Sequence, residues 1–237
     1  MNIIVVGYKG VVGNATYQLL SRLGNVVVGV DKGDIPVSGD ITFACLPETL
    51  LTTEVLREYK TKLYIVRSTV PPGTCQRLQD RLGVHVLHNP EFLRENSAVM
   101  DAFTPDRIII GECCPEHGDL LEGLYKPLAR PVYRTGQLVS ELTKLACNGW
   151  LATIISYWNE IDSMATKLGI SGTEVGMLAS TDPRIGNYGS RLHNQFDGKC
   201  LPKDMRQLIN TAGELGIKAR LLKAVMGVNM GANEGHR

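Results

Sequence analysis

The stretch Gly198-Lys199-Cys200-Leu201-Pro202-Lys203-Asp204 places a cysteine just ahead of a proline-started helix, with an acid four residues beyond it. Pro202 suits the first helical position, because its missing N–H would be unpaired there anyway. Cys200 then sits beside the positive end of the helix, with Lys199 and Lys203 on either side. Helix dipole and cations both favour thiolate over thiol, which is how a cysteine becomes a nucleophile. The competing reading is a small buried hydrophobe, the commoner fate of a cysteine.

A second group of residues could hold a nucleotide. The apolar run Ile3 to Val6 leads into Gly7-Tyr8-Lys9-Gly10-Val11-Val12-Gly13 and then a helical pattern. Glycines there let the backbone turn tightly and approach a pyrophosphate, which the helix N–H groups hold. The spacing GxxGxxG is one residue longer than the commoner GxGxxG. Asp31 lies 18 residues past Gly13, close to the ~20 expected of the acid that binds the adenosine ribose hydroxyls. A carboxylate there repels a 2′-phosphate, so the cofactor expected is NAD rather than NADP. The plainer reading makes Asp31 a loop residue that caps a turn.

These groups need a scaffold, and the first half supplies one. Short β-rich runs at Ile3–Val6, Asn25–Val30, Ile41–Cys45, Leu63–Val66, Val84–Leu87 and Arg107–Ile110 alternate with helical patterns near 10–23, 50–60 and 73–82. That alternation predicts an α/β fold with a parallel sheet. Only Lys32 to Gly39, eight residues, separate Asp31 from Asp40, whereas a parallel crossover takes a dozen or more. The fold is therefore expected to be an abridged Rossmann-type sheet that lacks one helix and one edge strand. From Gln137 apolar residues recur at helical spacing, and one long helix is expected to Lys167, with shorter ones near 171–180, 203–215 and 218–230. Gly231 to Arg237 reads as a frayed tail. The expected organisation is a nucleotide-binding domain over 1–134 and an all-helical domain over 135–237.

Composition excludes other classes. The chain has 237 residues, 43% of them apolar, and a net charge of +1 with scattered basic residues. Neither a nucleic-acid partner nor a polybasic membrane contact is expected. No segment approaches the roughly 18 apolar residues of a membrane span, and no signal-peptide core precedes the first strand, so a cytoplasmic protein is expected. The six cysteines and five histidines show no CxxC or HxxxH spacing, so no metal site is expected. Cys45, Cys113, Cys114 and Cys147 read as packing residues.

Three further stretches carry polar chemistry: Ser68-Thr69-Val70-Pro71-Pro72-Gly73-Thr74, Asn89-Pro90-Glu91-Phe92-Leu93-Arg94-Glu95 and Glu141-Leu142-Thr143-Lys144-Leu145-Ala146-Cys147-Asn148. The first two follow predicted strands at their carboxyl ends, where open α/β sheets bind ligands. Lys144 and Asn148, four apart on the long helix, share one face. With Asp182-Pro183-Arg184-Ile185-Gly186 and the Cys200 stretch, these motifs resemble the UDP-glucose/GDP-mannose dehydrogenase family, the bacterial UDP-glucose 6-dehydrogenase members above all. The likeness runs from Met1 to about Asn229.

The resemblance implies an NAD-dependent oxidation of a nucleotide-sugar or smaller sugar primary alcohol to a carboxylate, as in polysaccharide precursor synthesis. It implies that Cys200 is the nucleophile, that Lys144 and Asn148 stabilise oxyanions, and that Asp204, Glu91 and Thr69 serve proton transfer and water. It places Gly7, Gly10, Val12, Gly13, Asp31, Leu46, Thr69, Glu95 and Lys203 at the cofactor. Glu91, Phe92, Leu93, Lys144, Asn148, Arg184 and Phe196 fall at the substrate, Arg184 reaching it from a neighbouring subunit. A homodimer is expected, with Leu221, Leu222, Val225 and Val228 as an apolar stripe. Singly, these residues have plainer roles open to them: Lys144 paired with Glu141, Arg184 in a loop salt bridge, Glu91 as a solvated acid.

The chain also departs from the family. Members continue into a third domain that grips UDP or GDP, and this chain is read as stopping before it. Where the bacterial enzymes carry Phe-Gly-Tyr-Gly-Gly-Tyr-Cys, this chain has Asn194-Gln195-Phe196-Asp197-Gly198-Lys199-Cys200. Gln195 and Asp197 replace glycines, and Asp197 adds a negative charge that Lys199 and Arg191 offset. Remote binding energy helps to position a reacting carbon, so affinity and turnover should both suffer. A rival reading follows: an NAD-binding and dimerisation module without catalysis, or a piece that needs a separate UDP-binding domain.

Overall fold

The computed structural model describes residues 1–190, 195–198 and 200–231. Expectations that fall on Arg191, Asn194, Lys199 and the last six residues lie outside them. The chain divides into two compact units, Met1–Lys144 and Leu145–Arg237.

In the first unit β1 (Asn2–Val6), α1 (Val11–Arg22), β2 (Val26–Val30), β3 (Ile41–Ala44), α2 (Thr53–Arg57), β4 (Leu63–Val66), α3 (Thr74–Leu82) and β5 (His85–His88) follow in order. Next come α4 (Ala98–Phe103), β6 (Ile108–Glu112), α5 (Pro115–Tyr125) and β7 (Val132–Gly136), and α6 (Gln137–Leu168) begins before the boundary between the units. The sheet order is β2-β1-β3-β4-β5-β6-β7. Strands β1 to β5 pair in parallel, β5 and β6 meet antiparallel at His88 and Gly111, and β6 and β7 are parallel. Apolar residues on alternate positions fill both faces. Ile3, Val5, Phe43, Ile65 and Leu87 pack with Leu19, Leu20 and Leu121. Ala44, Tyr64, Val66 and Val86 pack with Leu56 and Leu78. Burial on both faces is what a helix-covered parallel sheet requires.

The abridgement is present. β2 is the edge strand, and residues 31–40 return the chain to β3, on the far side of β1, without a helix. Asp40 N–H donates to the Asn2 carbonyl (2.8 Å) and its carboxylate accepts from Asn2 N–H (2.9 Å), which ties the crossover to the start of β1. With its outer neighbour absent, β2 leaves Val26 63% and Val28 43% exposed. The chain leaves β1 toward β2 on one side and β3 lies on the other, so the order reverses beside β1. That reversal is the crevice where doubly wound sheets take ligands.

The second unit is helical. It holds the rest of α6, α7 (Gly172–Ala179), α8 (Leu201–Glu214) and α9 (Arg220–Gly231). Ala152 and Ile155 of α6, Phe196, Met205 of α8 and Val225 of α9 form its core. Val225 is buried, and Leu222 packs partly against this core. Much of the apolar stripe expected to remain uncovered is thus spent inside the unit, although Leu221 is 66% exposed. Among the described residues no helix is long and apolar enough to cross a membrane.

Candidate functional site

The glycine turn has the geometry its spacing implies. Gly7 has φ +83, a left-handed conformation that a side chain resists. Gly7 N–H donates to the Val30 carbonyl (2.9 Å) and Gly10 N–H to the Gly7 carbonyl (3.1 Å). A Cβ on Gly13 would overlap the Gly7 oxygen and stand 2.6 Å from Gly7 C and 2.8 Å from Tyr8 Cα, so only glycine seats α1 this closely. A Cβ on Gly10 would meet only the Gly7 oxygen, at 3.4 Å, which leaves room beside the start of α1. That start carries no side-chain cap and no acid in its first turn, the free dipole end that a diphosphate requires.

Asp31 follows β2 directly and is half-buried. Its carboxylate accepts from Lys9 N–H (3.1 Å) and Lys32 N–H (2.9 Å), contacts that fix it beside the turn while a carboxylate oxygen keeps further lone pairs for hydroxyls. The residues present therefore fit a dinucleotide. Val12 and Leu46 are half-buried, and Glu95 is exposed at the start of a short 3-10 turn.

A second cluster in this unit gathers around Lys144. The residue is 4% exposed, and its ammonium donates to the Glu91 carbonyl (2.6 Å), pairs with Glu91 Oε1 (3.2 Å) and lies 5.1 Å from the centre of the Phe92 ring. Glu91 Oε2 accepts from Leu93 N–H (2.7 Å). Glu91 is thus a held, paired acid rather than a solvated one. It also lines a cavity of about 520 Å³ with Phe92, Arg67, Asn89 and Arg107. Thr69 is half-buried after β4.

Lys144 does not pair with Glu141, because Glu141 is fully buried and accepts from Gly73 N–H (2.5 Å) and Cys75 N–H (2.7 Å). It caps α3 from a helix 66 residues away in sequence. Burial pushes its carboxyl up, and the two amides pull it partly back. The Arg67–Asn89–Tyr125 network was also not anticipated: the guanidinium and the Tyr125 hydroxyl both donate to Asn89 Oδ1, at 2.5 and 2.7 Å.

His88 is another buried group that the sequence did not single out. It is 0% exposed. The Ser68 carbonyl, 3.3 Å from Nε2, can only accept, so Nε2 carries the proton and Nδ1 accepts from the Ser140 hydroxyl at 2.9 Å. Burial lowers its pKa to about 4, the Ser68 bond offsets part of this, and the charges of Lys144 and Arg67 reinforce it. Between pH 6.5 and about 4 the unfolded chain then binds a proton that the folded one refuses. Stability should fall by about 3 kcal/mol as pH drops through that window. Denaturant unfolding of His88→Gln is expected to show a flatter pH dependence there; an unchanged slope would assign the loss to other groups.

In the second unit Cys200 is exposed and is itself the N-cap of α8, which starts at Leu201, one residue before Pro202. Asp204, in the first turn, is 1% exposed, and its N–H donates to the Cys200 carbonyl (2.9 Å). Asn148 Nδ2 donates to Asp204 Oδ2 at 2.5 Å. Lys203 Nζ stands 2.5 Å from Oδ1, off the line of a hydrogen bond, so charge alone holds that oxygen.

The remaining expected substrate residues divide. Phe196 is a core residue: it is 4% exposed, and Asn229 clamps its backbone through bonds of 2.8 and 3.0 Å. Arg184 is exposed and pairs with Asp182 (2.6 Å). The structure thus groups Glu91, Phe92 and Lys144 in one unit and Asn148, Cys200 and Asp204 in the other.

A sheet with a glycine turn at its reversal point, an acid closing the second strand and an uncapped helix start defines a dinucleotide-binding protein. The chain belongs to the UDP-glucose/GDP-mannose dehydrogenase family. Residues 50–129 match the family's NAD binding domain and residues 139–231 its central domain, and NAD is the cofactor. GDP-mannose 6-dehydrogenase of Pseudomonas syringae pv. syringae is 38% identical over 189 residues, which are 74% of this chain and 43% of that one. UDP-glucose 6-dehydrogenase of Bacillus subtilis is 37% identical over 173 residues, 70% of this chain and 39% of that one. The chain thus spans about two fifths of these curated relatives. A solved UDP-glucose dehydrogenase from the archaeon Pyrobaculum islandicum superposes with a TM-score of 0.88 at 29% identity, covering 97% of this chain and 68% of that one.

Proposed function

We propose that the chain carries the oxidation chemistry of an NAD-dependent nucleotide-sugar dehydrogenase, converting a primary alcohol to a carboxylate through Cys200. The observation that carries this reading is the exposed Cys200 at the start of α8 with the buried Asp204–Asn148 pair one turn in. NAD supplies two successive hydride acceptors. The alcohol gives up a hydride and a proton and becomes an aldehyde. The Cys200 thiolate adds to the aldehyde carbon, and loss of a second hydride leaves a thioester. Water then cleaves the carbon–sulfur bond, releasing the carboxylate and the thiol.

Lys144 and Asn148 are the groups suited to the oxygen that gains charge at each stage, a cation and an amide donor. Asp204 and Glu91, each held by a donor, suit proton transfer and water placement, with Thr69 assisting. Relatives acting on GDP-mannose and UDP-glucose are equally similar, so both are substrates to test. We infer a homodimer as well. Trp150, Tyr157 and Met164 recur every seventh residue on α6 and are 64%, 55% and 58% exposed, a repeat that stays on one helix face.

The direct test follows NADH absorbance when the purified chain is mixed with NAD and either sugar nucleotide. Two NADH per sugar acid support the reading. NAD binding without NADH formation would leave the non-catalytic module instead.

A further inference from the structure

We propose that His85, Cys113, Cys114 and His117 form a binding site for a zinc-type divalent cation. Sequence spacing treats the two cysteines as packing residues, because the histidine that completes the set lies 28 residues before Cys113. The sheet brings them together. β5 and β6 are antiparallel with His88 opposite Gly111, and the same register carried three residues further sets His85 across from Cys114. Cys114 is then the N-cap of α5, with extended φ −160 and ψ 159, and His117 lies one turn into that helix.

The distances suit one small cation. With metal–sulfur bonds of about 2.3 Å and metal–nitrogen bonds of about 2.0–2.1 Å, tetrahedral ligand atoms stand roughly 3.3–3.8 Å apart. Cys113 Sγ lies 3.9 Å from Cys114 Sγ, 3.5 Å from His85 Nδ1 and 3.7 Å from His117 Nδ1. Cys114 Sγ is 2.9 Å from His117 Nδ1, an edge that needs to open by roughly 0.6 Å to reach the tetrahedral value. All four ligand atoms fall within 4.8 Å of one another. The two imidazoles lie side by side, their ring centres 4.3 Å apart and their planes tilted by 45°.

The donor set decides the metal class. Two sulfurs and two imidazole nitrogens with no carboxylate suit zinc and exclude calcium or magnesium, which take oxygen ligands. Four protein ligands leave no open position, so the ion would be structural rather than catalytic. β5 runs parallel to β4 and the earlier strands, so His85 at its amino end lies at the edge of the sheet opposite the dinucleotide crevice. There the ion would pin the start of α5 to the β5–β6 pair, independently of any oxidation chemistry.

Titration of the reduced, chelator-stripped full chain with cobalt(II) tests this. One equivalent is expected to give the intense visible bands of tetrahedral cobalt and a thiolate charge-transfer band, both abolished by one equivalent of zinc, which should also raise Tm. Cys113→Ser and His117→Ala are each expected to lose these bands, while Cys147→Ser keeps them. A weak octahedral spectrum, no saturation at one equivalent, or bands that survive both substitutions would overturn the proposal. Zinc-edge X-ray absorption of the unaltered chain needs no variant: a first shell of two sulfurs and two nitrogens is expected, and a shell of oxygens would refute it.

Discussion

Cys200→Ser is expected to lower sugar-acid formation from NAD and a nucleotide sugar by at least about a thousandfold, the scale of losing a covalent nucleophile. NAD affinity should not change, because the glycine turn and Asp31 belong to the other unit. The substitution separates chemistry from folding with unusual cleanness. Cys200 is exposed and stands at the start of α8 with helical φ −88 and ψ −65 and no side-chain cap, so a serine of similar size removes no cap from the helix. The helix should therefore form as well in the variant. Serine keeps the geometry but offers a hydroxyl, a far weaker nucleophile at neutral pH than a thiol. Melting curves with and without NAD, run beside NADH absorbance, check all three points. Unchanged NADH production would remove the thiol from the mechanism.

Gly13→Ala should have the other large effect, on both folding and NAD. The added methyl would meet the carbonyl oxygen and carbon of Gly7 and the Cα of Tyr8, all backbone atoms that cannot swing aside as a side-chain tip can. Either the turn opens or α1 moves off β1. Overpacking of this kind costs about 3 kcal/mol, and the distorted turn should weaken NAD roughly a hundredfold, or about 2.7 kcal/mol. Gly10→Ala is the control for folding alone, since its methyl would make only an ordinary contact with the Gly7 oxygen while entering the space kept open for the diphosphate. Calorimetric NAD titration and urea unfolding of both variants read the contrast. A Gly13→Ala protein with normal stability and affinity would mean that the close seating of α1 is not what the glycine serves.

Local chemistry made much of this molecule readable before its fold was known. The strand–glycine–helix turn needs only neighbours in sequence, and so does the eight-residue gap that forbids a helical crossover. Cys200 at a helix start was legible from Pro202 alone, to within one residue. β7 and α5 were missed for local reasons too. β7 is a sheet edge carrying Tyr133 58% exposed, so its apolar signal is weak. In α5 two glycines, Gly118 and Gly123, blur the helical pattern, although Pro115 at its start was a usable sign. What could not be read depends on distant partners. Glu141 resembles the helical neighbour of Lys144 until the start of α3 offers it the amides of Gly73 and Cys75. Phe196 looks like a ligand contact until Asn229 and Met205 enclose it. His85 and Cys113 meet only because β6 runs against β5.

The short return from β2 to β3 has a cost at the margin of the sheet. A strand of five residues, Val26–Val30, faces solvent with an open row of backbone donors and acceptors and two uncovered valines. Such a margin is a template for β-augmentation by any extended chain. Its brevity, and the turn that begins with Lys32 just past its end, limit how far a foreign strand could zip along it.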